Sequence, residues 1–322
     1  MKLAITLTQY HRLLSVAAMI DVFETVNRFK TEEGLTAPFE IVLLEEHGRN
    51  ASAYESYIVQ QPADDVQFDI VLIPAFREEG MADALTANKR WLPWLRGQYI
   101  GGAAIASFCT GAFLLAASGL LDGKPATTHI NAGSAFADAF PQVKLQNEAV
   151  VTEEDKIYTS GGATNSFHLM LRLIEIYCGR AIAVKAAKVF SIDMDRNIQS
   201  YFGSFMPVKD HSDTLVKLAQ EEIRKNFNKA VTIEEIVVDV PSSRRNLVRR
   251  FKQVTGLTPI EYLQKTRIEA AKQLLEQSRH SIMEVMMESG YNDLKTFRSL
   301  FKKNVGMTPK SYREKFNSHA VQ

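Results

Sequence analysis

Cysteine is nearly missing from this sequence: Cys109 and Cys178 are the only two in 322 residues. That is too few for a disulfide framework, and neither their number nor their spacing supports a structural zinc site. A reducing, cytoplasmic setting is therefore expected, with no metal and no cofactor. No stretch reaches the roughly 20 consecutive apolar residues that span a bilayer. The opening MKLAITLTQY lacks the long apolar core and small-residue cleavage site of a secretory leader. Net charge is also nearly absent, at +1 overall. The balance hides an asymmetry: residues 214–322 carry 20 Lys+Arg against 12 Asp+Glu, whereas residues 1–213 carry 18 against 25. An acidic body joined to a basic tail implies a polyanionic partner for the tail alone.

The length suits about two domains. In the first part, the short apolar runs 2–8, 39–44, 68–73 and 102–108 alternate with apolar helical segments such as 15–29 and 110–118. Strands apolar on both faces and alternating with helices predict a mostly parallel α/β sheet flanked by helices, with flavodoxin-like layering. Residues 143–159 read as a hairpin, and 163–190 as helix broken near Gly179. A polar, Gly- and Pro-containing linker is expected at 203–213. Everything beyond it has helical periodicity. The predicted organisation is an α/β sensor domain over 1–202, the linker, an all-α domain over 214–316, and a flexible tail at 317–322.

The all-α part contains an internal repeat, the first thing to look for in a sequence. FKQVTGLTPIEYLQK (251–265) and FKKNVGMTPKSYREK (301–315) share seven identities at an offset of 50 residues. Thr232, Thr258 and Ser281 each precede a glutamate by three positions, which predicts three capping boxes. Pro259 and Pro309 then fall at first helical positions, where a missing N–H costs nothing. Carrying the offset upstream pairs Ser243 with Asp293, Leu247 with Phe297 and Ile236 with Met286. Each unit becomes a capped helix, a turn and a second helix, the second helices being SRRNLVRRF (243–251) and DLKTFRSLF (293–301). With Leu247 and Phe251, or Phe297 and Phe301, facing a core, the basic residues are left outside. Arg and Lys bond guanine, Asn bonds adenine, and surrounding cations neutralise phosphate. One such face is more simply a solvated, salt-bridged surface; two at matched positions point to double-stranded DNA.

Residues 214–316 resemble the AraC/XylS-type DNA-binding domain, which has two helix-turn-helix units on one connecting helix, and GYNDLKTFRSLFKKNVGMTPKSYR (290–313) is close to that family's signature. The resemblance implies that Arg245, Asn246, Lys295 and Thr296 read bases, and that Arg249, Arg250, Arg298 and Lys302 contact phosphates. Where that family carries a small alanine before each turn, this chain has Val237 and Met287.

The α/β part has one pointed feature: the apolar strand AAIASF runs into Cys109-Thr110-Gly111-Ala112. This is the pattern of a nucleophile elbow, and a thiol at a helix start is expected to be stabilised as thiolate. His129 ends another strand-like segment, KPATTHI, and is expected to approach it. Residues 1–190 resemble the ThiJ/PfpI branch of the class I glutamine amidotransferase-like fold. That implies a cysteine–histidine pair with an acid from the N-terminal region, for which Asp21 is the candidate. Two departures argue against catalysis. Thr110 stands where hydrolytic relatives often have histidine, and Pro74-Ala75-Phe76 replaces the glycine loop whose amides would hold an oxyanion. A pocket for a small molecule or oxidant lined by Cys109, Thr110, His129 and Asp21 is the leading expectation; an inert elbow is the plainer one. Cys178 reads as core, Trp91 and Trp94 as helix packing, and Asp193, Asp195 and Arg196 as a solvated turn.

Together these features predict a sequence-specific transcription regulator, homodimeric by the habit of the resembled fold, whose effector is an unknown small molecule or oxidant. The alternative is a cysteine-dependent amidase, peptidase or aldehyde-processing enzyme with a nucleic-acid-binding appendage.

Overall fold

The computed structural model describes all residues except 47–56, 78–79, 195–198, 200–204, 206, 208–210 and 318–322. The chain divides into two compact units, Met1–Gln199 and Ser200–Gln322. The predicted turn at Asp195 and Arg196, most of the predicted linker and the tail beyond residue 317 lie outside the described residues.

In the first unit, strands β1 (Lys2–Thr6), β2 (Glu40–Leu44), β3 (Ile58–Gln60), β4 (Ile70–Ile73), β5 (Ala104–Phe108), β8 (Val151–Glu154) and β9 (Ile157–Ser160) form one sheet in the order β3-β2-β1-β4-β5-β9-β8. All neighbours are parallel except β8 and β9, whose hairpin turns through Asp155 and Lys156 at φ 50 and 61. Strands this apolar need cover on both faces, because successive side chains point to opposite sides. Leu3, Ile5, Ile70 and Leu72 join one core with helices α1 (Leu13–Glu32), α6 (Asn165–Cys178) and α7 (Arg180–Val189). Ala4, Val71, Ile73 and Ile105 join the other with α2 (Met81–Ala87), α3 (Trp91–Ile100), α4 (Ala112–Ala117) and α5 (Gly133–Ala139). Gly179, at φ 86 and ψ 159, separates α6 from α7 where the break was expected. Trp91 and Trp94 pack edge-on at 5.4 Å in the second core, and Cys178 is half-buried against the first.

Two predicted elements differ. The segment before His129 contains a strand of two residues, β6 (Pro125–Ala126), paired with β7 (Lys144–Leu145) in a separate sheet. His129 therefore caps a 3₁₀ turn, Ile130–Ala132, rather than ending a strand. For the same reason the hairpin starts at Val151, not near residue 143.

The second unit is helical: α8 (Thr214–Asn226), α9 (Ile233–Ile236), α10 (Arg244–Thr255), α11 (Pro259–Gln277), α12 (Ile282–Glu288), α13 (Leu294–Val305) and α14 (Pro309–Phe316). All three capping boxes form, at Thr232, Thr258 and Ser281. Helix α11 serves two cores: Tyr262 and Leu263 pack with Leu247 and Phe251, while Ile268, Ala271 and Leu275 pack with Phe297 and Phe301. The repeat explains itself in these contacts. Phe251–Tyr262 and Phe301–Tyr312 are matching edge-on pairs at 5.2 and 5.6 Å. Gly256 and Gly306 end α10 and α13 at φ 72 and 85, the left-handed conformation that glycine adopts without steric cost.

One repeat pairing is corrected. The caps Thr232 and Ser281 are 49 residues apart, whereas Ser243 and Asp293 are 50 apart, so the second turn holds one more residue. Ile236 thus matches Val285, and Val237 matches the buried Met286; Met287 is exposed.

Candidate functional sites

Cys109 follows β5 at φ 55, inside a 3₁₀ turn that leads into α4. A cysteine held at positive φ is a strained elbow, and the neighbourhood explains how it is held. At Gly111 a Cβ would come within 2.6 Å of the Pro74 carbonyl, so only glycine fits. The Thr110 hydroxyl both accepts from Phe76 N and donates to Phe76 O, each at 2.8 Å. Ala75 N donates to Ser15 Oγ at 3.1 Å. Both amides of the Ala75-Phe76 loop are therefore bound to side chains and not directed at a reacting carbonyl. Thr110, named as a pocket residue, is fully buried and acts as a strut.

Cys109 is 2% exposed, and burial pushes the pKa of its thiol up. The backbone of Ala163 and Thr110, the Thr110 hydroxyl and the Arg12 charge act in the opposite direction without overcoming it. The expected thiolate is thus corrected: desolvation disfavours the charged form more than the turn's amides favour it.

His129 follows a residue that is bonded to the elbow. Thr128, just before it, donates to the Cys109 carbonyl at 3.0 Å. The His129 ring lies against Gly162, where an added Cβ would meet its Cδ2 at 2.0 Å, and Gly162 precedes Ala163. Its Nδ1 accepts from Asn131 N at 3.3 Å. Asp21 does not join this group. It is exposed on α1, and its charge acts on Tyr57, whose pKa is raised by burial first and Glu24 next. The charged residue that acts on the thiol is Arg12. Sequence reasoning also missed Gln199, a buried residue bonded to both Gly162 and Thr128. The glycine pair Gly161-Gly162 directly after β9 was the available signal for a close approach there.

In the helical unit the basic faces form on α10 and α13. Ser243 Oγ accepts from Asn246 N at 3.4 Å, and Asp293 Oδ1 from Thr296 N at 2.7 Å. Arg245, Arg249, Lys295, Thr296, Arg298 and Lys302 are exposed. Asn246 is half-buried: its Nδ2 donates to Ser242 Oγ at 3.0 Å, and its Oδ1 accepts from Arg249 at 3.0 Å. Arg250 is also half-buried and ion-paired with Asp213 at 2.8 Å.

Arg267, on α11, ties the two halves of this unit together. Its Nε donates to Phe227 O at 2.8 Å and its Nη2 to Lys229 O at 2.7 Å, while the guanidinium lies 5.5 Å from the Tyr291 ring centroid. Gly290 packs against the same Phe227 carbonyl. The turn between α12 and α13 is thereby fixed to the segment between α8 and α9. No helix among the described residues is long and apolar enough to cross a membrane.

Comparison with known proteins agrees with both units. Residues 13–176 match the model of the DJ-1/PfpI family, and residues 239–315 that of a helix-turn-helix domain. The chain is 28% identical over 238 residues to the HTH-type transcriptional regulator GbdR of Pseudomonas aeruginosa, covering 73% of this chain and 64% of that protein. It is 29% identical over 231 residues to the regulator CdhR of the same species, covering 68% and 66%. The chain thus spans just under two thirds of these relatives. Among solved structures, a transcriptional regulator protein from Vibrio parahaemolyticus, described there as putative, aligns with a TM-score of 0.47 at 21% identity, covering 59% of this chain and 98% of that one.

Proposed function

The chain belongs to the DJ-1/PfpI family, and on that footing we propose that it is a sequence-specific transcription regulator. Helices α10 and α13 enter successive major grooves of double-stranded DNA, and the α/β unit senses a small molecule. The observation that carries this reading is the duplicated, capped helix pair with exposed Arg245 and Lys295 at matched positions. Arg245, Asn246, Lys295 and Thr296 read bases; Arg249, Arg298 and Lys302 hold phosphates. The compact α/β unit ends at Gln199, Phe205 of the expected linker packs on Tyr262 at 5.0 Å, and the reading helices run over residues 214–316.

Between a ligand and an oxidant, the geometry favours a ligand, because a thiol that is buried and kept protonated is a poor target for oxidation. The same geometry favours a non-enzymatic role: the loop amides that would hold an oxyanion are bonded to Thr110 and Ser15. The protein acts in the cytoplasm as a homodimer, supported by the exposed apolar residues Tyr10, Leu13 and Leu14 where α1 begins. A light-scattering mass of one chain would refute the dimer.

Selection from a random DNA pool by the full chain tests the main claim. Two short boxes about one helical turn apart are expected; a pool that stays random, with binding that is wholly salt-driven, would refute it.

A further inference from the structure

Gln199 is the last residue of the first unit, and it is 1% exposed. Its carboxamide is matched at both ends. Oε1 accepts from Gly162 N at 3.1 Å and from Asn165 Nδ2 at 2.9 Å. Nε2 donates toward Thr127 Oγ1 at 3.2 Å, Thr128 O at 3.0 Å and Asn147 O at 2.9 Å. A primary amide offers two acceptor lone pairs and two donor hydrogens, and this surround engages both sets. A carboxylate would have nothing to donate to the two carbonyls, and an ammonium nothing to accept from Gly162 and Asn165. The backbone has made room for the group: at Gly161 an added Cβ would lie 2.1 Å from Gln199 Oε1.

The walls that hold this amide also build the elbow. Thr128 donates to the Cys109 carbonyl, and the backbone of Ala163, after Gly162, acts on the Cys109 thiol by lowering its pKa. Within the same walls Asn165 Oδ1 and Ser160 Oγ are buried without a hydrogen-bond partner among the described residues. Unpartnered buried oxygens are costly, and they are what an incoming donor would satisfy.

We propose that this cleft is a primary-carboxamide site, filled here by the chain's own Gln199, and that an effector bearing a primary carboxamide binds by displacing it. Gln199 is the last residue of the sensing unit, and its release is expected to alter DNA binding by the reading unit. A tethered side chain competes at a high effective concentration. The effector therefore needs contacts beyond the amide, and Asn165 Oδ1 and Ser160 Oγ supply them. This inference rests on the reading of the first unit as the effector domain, but its first test involves no DNA.

The full chain carrying Gln199→Ala is compared with the unchanged chain in thermal unfolding. The probe is propionamide, which reproduces the glutamine side chain from Cβ outward; propionate at matched concentration is the control. The variant is expected to melt lower, and propionamide to raise its Tm more than it raises that of the unchanged chain, while propionate does not. An equal response of the two proteins to propionamide, or an equal effect of propionate, would overturn the site.

Should Gln199→Ala not fold, Gln199→Glu decides. It is expected to melt below the unchanged chain at neutral pH and to recover on acidification, as its carboxylate is protonated; equal melting at neutral pH would overturn the site. Transmission is measured separately, as a several-fold change in affinity of Gln199→Ala for a selected duplex that propionamide reverses. Unchanged affinity overturns the transmission while the melting result stands. Absence of sequence-specific DNA binding by the unchanged chain instead refutes the regulator reading and leaves the carboxamide site judged by melting alone.

Discussion

The Nε of Arg250 lies 2.8 Å from Oδ2 of Asp213, whose Oδ1 caps α8 by accepting from Val216 N at 3.1 Å. One carboxylate thus joins the start of α8 to helix α10, and Arg250 above all holds it below the usual carboxylate range. An arginine expected from the sequence to hold phosphate is thus ion-paired within the helical unit.

Arg250→Ala is therefore expected to lower stability by about 0.5–1 kcal/mol, as partly exposed ion pairs do. Its neighbour Arg249, exposed and, among the described residues, bonded locally to Asn246, should give the opposite pattern. Arg249→Ala is expected to leave Tm unchanged, weaken all DNA about equally and reduce the salt slope by roughly 1. Thermal unfolding and salt titration of both variants check the division, and matching behaviour would refute it.

Gly290 sits at φ 86, and a Cβ there would meet the Phe227 carbonyl at 2.2 Å. Gly290→Ala combines left-handed strain, about 1–3 kcal/mol, with a clash against rigid backbone. The variant should melt markedly lower and lose affinity for duplexes that require both boxes. A variant with wild-type Tm would show that the Arg267–Phe227 brace does not fix α13.

Burial raises the pKa of Cys109 above that of an ordinary thiol, so the group is protonated near neutrality. Alkylation of Cys109 by iodoacetamide at pH 7 should be slower than that of an unfolded control, with its rate rising at higher pH than the control's. Fast labelling at pH 7 would contradict the assignment and revive the oxidant-sensing alternative.

Acid should loosen the helical unit. Glu235, Glu261, Glu284 and Asp293 have pKa values lowered by hydrogen bonds from their capping partners, Thr232, Thr258, Ser281 and Thr296. A lowered carboxylate contributes stability that is present above its unfolded pKa and lost as pH falls through the folded one. Circular dichroism melts are expected to show a falling Tm as pH drops below about 4. A Tm that stays flat to pH 2 would show that the caps contribute nothing.

Much of this was legible because it is local. Capping boxes and first-turn prolines act within four residues of one another, so Thr258, Pro259 and Pro309 could be placed from sequence alone. The central strands were legible because two-sided burial leaves continuous apolar runs. What failed was non-local. Gln199 is one polar residue beside a linker-like stretch, and its burial depends on partners 34 to 72 residues away. The Cys109 pKa depends on how completely its turn is enclosed, which the order of residues does not report. Asp21 was chosen for its residue type; the periodicity of α1, which buries Ile20, Val22 and Phe23, leaves it on the exposed side. The pairing of Ile236 with Met286 failed because one added residue in a turn leaves the repeat itself intact.

The central claim is that two helices read DNA sequence and do not merely attract its charge. The direct measurement is the affinity of Arg245→Ala and of the unchanged chain for a selected duplex and its single-base variants at near-physiological salt. The account predicts a loss of about 1–3 kcal/mol on the selected duplex, with discrimination erased at one position of one box. Uniform weakening across all the duplexes would contradict it.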